Sequence, residues 1–206
     1  MQNWAGWLFI PREERRHRMF IHTRSRAELR ANATPLVRVL LVMKTLDDLT
    51  IAPIPQRFLD RVRLEGIDDL GQPVKHVVAK GGEPCRDVLR RANVGEELIL
   101  ASFTPFNKPG PYKEYGPIFV LAHAGDEPVR RDTLPPAGSP ANYLREQFVI
   151  RAYSWEEEII DAALVNAPAL AETVDRFFES LDTAFLHVRF PTYGCFACRI
   201  DRFIEA

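Results

Sequence analysis

From Thr50 onward, apolar runs of strand length follow one another with connections too short, or too broken by proline, to hold a helical crossover. Parallel neighbours in a sheet need such a crossover, so runs arranged this way pair mostly antiparallel. Residues 97–103 and 118–123 are two of these runs. The segment between them holds Pro105, Pro109, Pro111 and Pro117 and reads as a loop. Residues 132–142, with Pro135, Pro136, Gly138 and Pro140, form a second loop. Residues 51–55, 74–79 and 147–153 add further strand candidates, and 158–165 reads as a strand or a helix. The clearest strand is 184–190, where Ala184, Leu186, Val188 and Phe190 alternate with Phe185, His187 and Arg189. His187 and Arg189 therefore share its less apolar face. A turn at 191–194 returns the chain into 196–203 as a hairpin partner.

Helical spacing is found in three places. Phe58, Leu59 and Val62 fall on one face of 56–65, which Gly66 stops. Residues 84–92 place Pro84 in a first turn and Cys85, Val88, Leu89 and Ala92 at i, i+3, i+4 and i+7. Leu170, Val174, Phe177, Phe178 and Leu181 form one stripe along 168–181. The expected fold is a single α+β domain over 44–206, with a mostly antiparallel or mixed sheet and two or three helices.

The charge is unevenly spread. Residues 1–43 carry eight arginines against three glutamates, a surplus of five positive charges, while the rest of the chain holds 19 bases and 25 acids, a net of −6. A globally basic face for nucleic acid is thus absent from the body of the chain. Residues 1–43 read as a basic, poorly ordered extension of the kind an upstream start would add, Met43-Lys44-Thr45 being a natural beginning; the alternative is an arginine-rich targeting or nucleic-acid-binding tail. No apolar run approaches the roughly 18–20 residues of a spanning helix, and the short apolar patch at 4–10 precedes its charges, the reverse of a secretory signal. Three cysteines do not make a disulfide framework, so a cytoplasmic setting is expected.

Chemistry concentrates in few residues. Gly81-Gly82-Glu83-Pro84-Cys85-Arg86 places a thiol and a guanidinium at an expected helix start, where unpaired N–H groups favour a thiolate or a bound anion. Cys85 is the candidate nucleophile and Arg86 its anion-binding neighbour. The competing reading makes Cys85 an inert core residue on the same stripe as Val88 and Leu89. Cys195-Phe196-Ala197-Cys198 is a lone C-x-x-C, and a second pair at ligand spacing is absent, so no metal is assigned. In an extended strand its two thiols face opposite ways unless Gly194 leaves Cys195 in the turn. His187 and Arg189 are suited to an anionic substrate. Tyr112, Lys113, Glu114 and Tyr115 lie in the proline-rich loop, placed as a loop that covers a pocket lies. Neither G-x-S-x-G nor G-x-G-x-x-G occurs.

These residues fall in ordered segments: Glu-Pro-Cys-Arg at 83–86, Ala-Asn-Val-Gly-Glu-Glu-Leu-Ile at 92–99, Tyr112 followed by Gly-Pro-Ile-Phe at 116–119, Arg-Ala-Tyr at 151–153 and Gly-Cys-Phe at 194–196. With them the chain from about residue 51 to 203 resembles the bacterial domain-of-unknown-function family 1203. The resemblance marks Cys85, Arg86, Gly95, Glu96, Tyr112, Gly116, Pro117, Arg151, Tyr153, Gly194 and Cys195, and it implies no activity, since the family has none assigned. Cys198 and the N-terminal arm fall outside the pattern. Two functions follow as expectations. One is a cofactor-free small-molecule protein, binding an anionic ligand through Arg86, Tyr112, Arg151, Tyr153, His187, Arg189 and Cys195 or acting through the Cys85 thiol. The other is a non-catalytic protein-interaction domain with structural cysteines.

Overall fold

Alternating burial sorts the strands into two sheets. A computed structural model describes residues 49–202 apart from 126 and 128. The basic extension at 1–43 lies outside the described residues. In chain order the strands are β1 (Leu49–Ala52), β2 (Lys75–Val78), β3 (Pro84–Cys85), β4 (Arg90–Arg91), β5 (Glu97–Phe103), β6 (Gly116–Leu121), β7 (Gln147–Tyr153), β8 (Ile159–Asn166), β9 (Phe185–Arg189) and β10 (Phe196–Arg202). The first sheet runs β1-β10-β9-β7-β8 and the second β2-β5-β6-β3-β4. Every pairing is antiparallel except β3 on β6, a single parallel bridge from Cys85 to Phe119. The α+β class and its mostly antiparallel, mixed pairing are those expected from the run lengths; the division into two sheets was not.

Helix α1 (Gln56–Asp60) widens into a π-turn over Arg61–Glu65 and ends where Gly66 takes a left-handed φ of 69°. Its Phe58, Leu59 and Val62 pack on Ile99, Ala101, Ile118 and Val120, one face of the second sheet. Helix α2 (Leu170–Phe178) follows a short 3₁₀ turn. Leu170, Val174, Phe177 and Phe178 bury against Ile51, Phe148, Ile150, Ala152, Leu186, Val188 and Ile200, one face of the first sheet. Each such side chain, once buried, is worth about 1.5–3 kcal/mol over its exposed state. Leu181 lies beyond the helix and is exposed, so the stripe stops at Phe178.

The helix expected at 84–92 is absent. Cys85 and Ala92 enter the core of the second sheet while Leu89 enters that of the first, so the helical spacing spans two different cores. Backbone bonding closes the segment as a hairpin: the Ala92 N–H donates to Glu83 O at 2.8 Å, the Gly82 N–H to Ala92 O at 2.9 Å, and the Arg86 N–H to Phe119 O at 3.0 Å. Leu89, at φ 51°, turns the chain in a conformation no helix contains. Gly81 stands close enough to Val94 that an added Cβ would meet it at 2.9 Å.

β9 forms where the alternation placed it, with His187 and Arg189 on one face. It lies in the middle of the first sheet, and all five of its residues are buried, His187 and Arg189 included. Among the described residues no helix is long and apolar enough to cross a membrane.

Candidate functional site

The face of the first sheet turned away from α2 carries the polar side chains. Register places Arg151 of β7, His187 of β9 and Arg199 of β10 in one row across three strands. Tyr153, Phe185 and Asp201 form the next row. A β-bulge between Phe196 and Cys198 brings Phe196, opposite Arg189, onto the same face as Arg199. Without the bulge, three residues apart would mean opposite faces.

His187 sits in an aromatic box. Its ring centroid lies 4.7 Å from that of Tyr153, 4.9 Å from Phe185 and 5.2 Å from both Phe106 and Phe196. It is fully buried, and neither ring nitrogen has a hydrogen-bond partner among the described residues. Burial holds its pKa well below the ordinary imidazole value, and the Arg199 and Arg151 charges push it the same way, so the ring is neutral. The buried Tyr153 hydroxyl lacks a well-formed hydrogen bond. Burial raises its pKa, and the neighbouring Arg151 guanidinium opposes that rise.

Phe106 and Phe196 also line the main cleft, a space of about 640 Å³. Its walls come from the end of β1, from α1, from the loop after β5 and from β10. Phe58, Phe103, Phe106 and Phe196 supply its aromatic surface, with Phe103 4.9 Å from Phe58 and 5.5 Å from Phe196 by centroid. Arg57, Arg61, Lys113 and Arg199 supply four cations against the single carboxylate of Asp69. Arg57 and Arg61, four apart, share one side of the helical segment. Arg61 pairs with Asp69, which also accepts the Thr104 N–H at 2.8 Å, and Arg199 pairs with Asp201 at 2.7 Å while lying 3.7 Å over the Phe185 ring. Arg57 donates to the Asn107 side-chain oxygen at 3.2 Å. After the two ion pairs, Arg57 and Lys113 keep their charge uncompensated by any carboxylate among the described residues. The loop carrying Phe106 is anchored beyond it by Glu157, whose buried carboxylate accepts the Asn107 and Lys108 N–H groups at 3.0–3.1 Å.

The expected site residues divide into two groups. Arg151, Tyr153 and His187 come together behind the cleft, and Lys113 of the proline-rich loop lines it. Cys85, Arg86, Arg189 and Cys195 lie elsewhere. Cys85 is fully buried in the second sheet's core, and burial pushes its thiol up to about 12, the opposite of the lowered value a helix start would produce. Arg86 is buried against the Phe190 ring and donates to the carbonyls of Phe196 and Pro84 at 3.0 and 2.6 Å. Arg189 pairs with Glu114 and donates to Gly194 O. Cys195 is left in the turn by Gly194, half-buried, while Cys198 packs in the α2-side core with its thiol also near 12. Tyr112 is exposed and does not line the cleft. Among the described residues no three His, Cys, Asp or Glu side chains are grouped as metal ligands would be.

Sequence reasoning missed Arg57, Arg61, Asp69, Phe103, Phe106, Phe196 and Arg199. The amphipathic pattern of 56–65 identified the apolar side of α1 and left its arginines as solvated surface. Phe196 and Arg199 were hidden by the bulge, for which Gly194-Cys195 was the one local hint.

Fold and cleft together define an α+β protein of two five-stranded sheets with a cationic, aromatic-lined cleft walled by residues of both. The chain belongs to the DUF1203 family, described as a protein of unknown function, whose pattern matches residues 82–202. That span holds β3 to β10; β1 and α1, which complete the cleft, precede it. Comparison with curated proteins finds no match, and comparison with solved structures finds none.

Proposed function

We propose that this protein binds a small anionic molecule with an apolar body in the cleft. The observation that carries the reading is the pairing of four cations and one carboxylate with four phenylalanines around one concavity. Concave sites of this size, where polar groups and aromatic rings converge, are where small molecules bind. The uncompensated Lys113 and Arg57 charges favour an anion, and the rings accept its hydrocarbon part.

This reading keeps the anionic ligand expected from the sequence and moves it away from Cys85 and Arg86. A thiol buried in a sheet core with a raised pKa is a poor nucleophile. The burial of Cys85 and Cys198 fits the structural cysteines of an interaction domain, but that reading leaves the charge and concavity of the cleft without a role.

The test is titration calorimetry with benzoate, phenyl phosphate and hexanoate, and with neutral benzamide as control. At least one anion binds with a Kd at or below the millimolar range and benzamide does not. The double variant Lys113→Ala/Arg57→Ala, altering two side chains outside the core, weakens that binding about tenfold or more. No heat with any of the three anions, or equal binding of benzoate and benzamide, overturns the proposal.

A further inference from the structure

Both ring nitrogens of His187 are buried without a partner among the described residues, one layer behind the cleft, and beside them lies the buried Tyr153 hydroxyl, whose one neighbouring polar group is the Arg151 guanidinium. Native interiors satisfy nearly all such groups, and the exceptions gather where a ligand or reaction makes use of them. Their placement is not that of a core defect. His187 and Tyr153 are in ring contact with each other, and His187 touches Phe106 and Phe196, the two rings that also line the cleft. Arg199 borders both, lining the cleft and standing beside His187 in the sheet.

We propose that His187 and Tyr153 form a hydrogen-bonding subsite at the back of the cleft, which reads a hydroxyl or carbonyl group on the apolar body of the bound anion. The proposal rests on the cleft being the ligand site. An uncharged imidazole offers one donor and one acceptor, and the phenol offers both, so the pair matches a hydroxyl that must give one hydrogen bond and take another. Phe106 is the ring that must turn aside for the ligand to enter. It is carried on a loop, whereas Phe196 is built into β10. The loop backbone is hydrogen-bonded on either side of Phe106, to Asp69 at Thr104 and to Glu157 at Asn107 and Lys108, which leaves the Phe106 side chain as the part to rotate.

The experiment compares benzoate with meta- and para-hydroxybenzoate on the wild-type protein and on His187→Phe and Tyr153→Phe. Phenylalanine at 187 fills the aromatic box with a ring of similar size and no unsatisfied nitrogen, so this variant is expected to melt no lower than wild type. Tyr153→Phe removes one oxygen only. The expected result is that wild type binds one hydroxybenzoate at least about tenfold more tightly than benzoate. Both variants lose that preference while their affinity for benzoate stays within about twofold. Equal wild-type affinity for all three acids, or a preference surviving in both variants, overturns the subsite and leaves the cleft reading standing. Failure of all three acids together with phenyl phosphate and hexanoate overturns the cleft reading itself. Should His187→Phe fail to fold, Tyr153→Phe alone decides.

Discussion

Alkylation of the native protein sets the burial of the cysteines against the reactive thiol that a helix start at Pro84 would have made. Burial moves the Cys85 thiol from an ordinary value of 9.0 up to about 12. Three pH units correspond to about a thousandfold less thiolate at any pH well below 9. Cys198 has the same shift, also from burial. Cys195 lies in the turn before β10, partly open to solvent. Treatment with iodoacetamide between pH 6 and 9, with each cysteine followed by peptide mass spectrometry, should therefore modify Cys195 first. Cys85 and Cys198 should lag by about a thousandfold or more, since reagent must also reach them through opening of the core. Across the whole range their rates should climb about tenfold per pH unit without a plateau. In urea all three should react alike. Rapid labelling of Cys85 near pH 6, or a midpoint for it below about 8, would refute the burial argument and restore the nucleophile.

Three further outcomes follow from named contacts. Asp87→Ala strips Arg63 of a 2.6 Å ion pair and leaves the Leu121 N–H without its acceptor, both in buried surroundings; a loss of about 3 kcal/mol in urea unfolding is expected. Glu157→Ala releases the Asn107 and Lys108 N–H groups and should cost about 2 kcal/mol, while speeding proteolysis in the loop around Phe106 ahead of global unfolding. The hydrogen bonds from Arg90 hold the Glu96 carboxyl at about 2, below its ordinary 4.5. A lowered folded-state pKa contributes stability above pH 4.5 that is lost as the pH falls from there toward 2, so Glu96→Gln should flatten the acid limb in that window. The groups are solvent-facing, so the effect stays near 1 kcal/mol or less.

Wherever one period ran through one core, it was legible in the chain. The stripe on α2 and the alternation on β9 each describe a surface facing a single partner, and both stand in the structure from Leu170 to Phe178 and from Phe185 to Arg189. Residues 84–92 failed because Cys85, Leu89 and Ala92 have the right spacing for a helix but serve two cores, and long-range pairing to Phe119 overrides local propensity. The cleft was hidden for a related reason. Its walls are drawn from segments as far apart as Arg57 and Arg199, and a bulge, which no local periodicity records, sets the face of β10. His187 and Arg189 could be singled out as polar positions two apart on a strand, and Arg151 and Tyr153 only through the family resemblance; that all four lie on one face of the sheet could not be read.

The two faces of those same strands carry the functional argument further. Toward α2, β7 and β9 present Ile150, Ala152, Leu186 and Val188, a surface that any stable sheet would choose. On the opposite face they present Arg151, Tyr153, His187 and Arg189, and three of these four are also buried. Stability alone favours apolar residues there as well, since an unpaired polar group out of water costs about 1–3 kcal/mol and a buried charge costs more. Arg189 recovers part of that cost through Glu114, but the His187 nitrogens recover none from the described residues. A fold that accepts this burden on the one face adjoining a cationic cleft, while the α2 face of the same strands stays wholly apolar, has the pattern of a surface shaped for binding at the expense of stability.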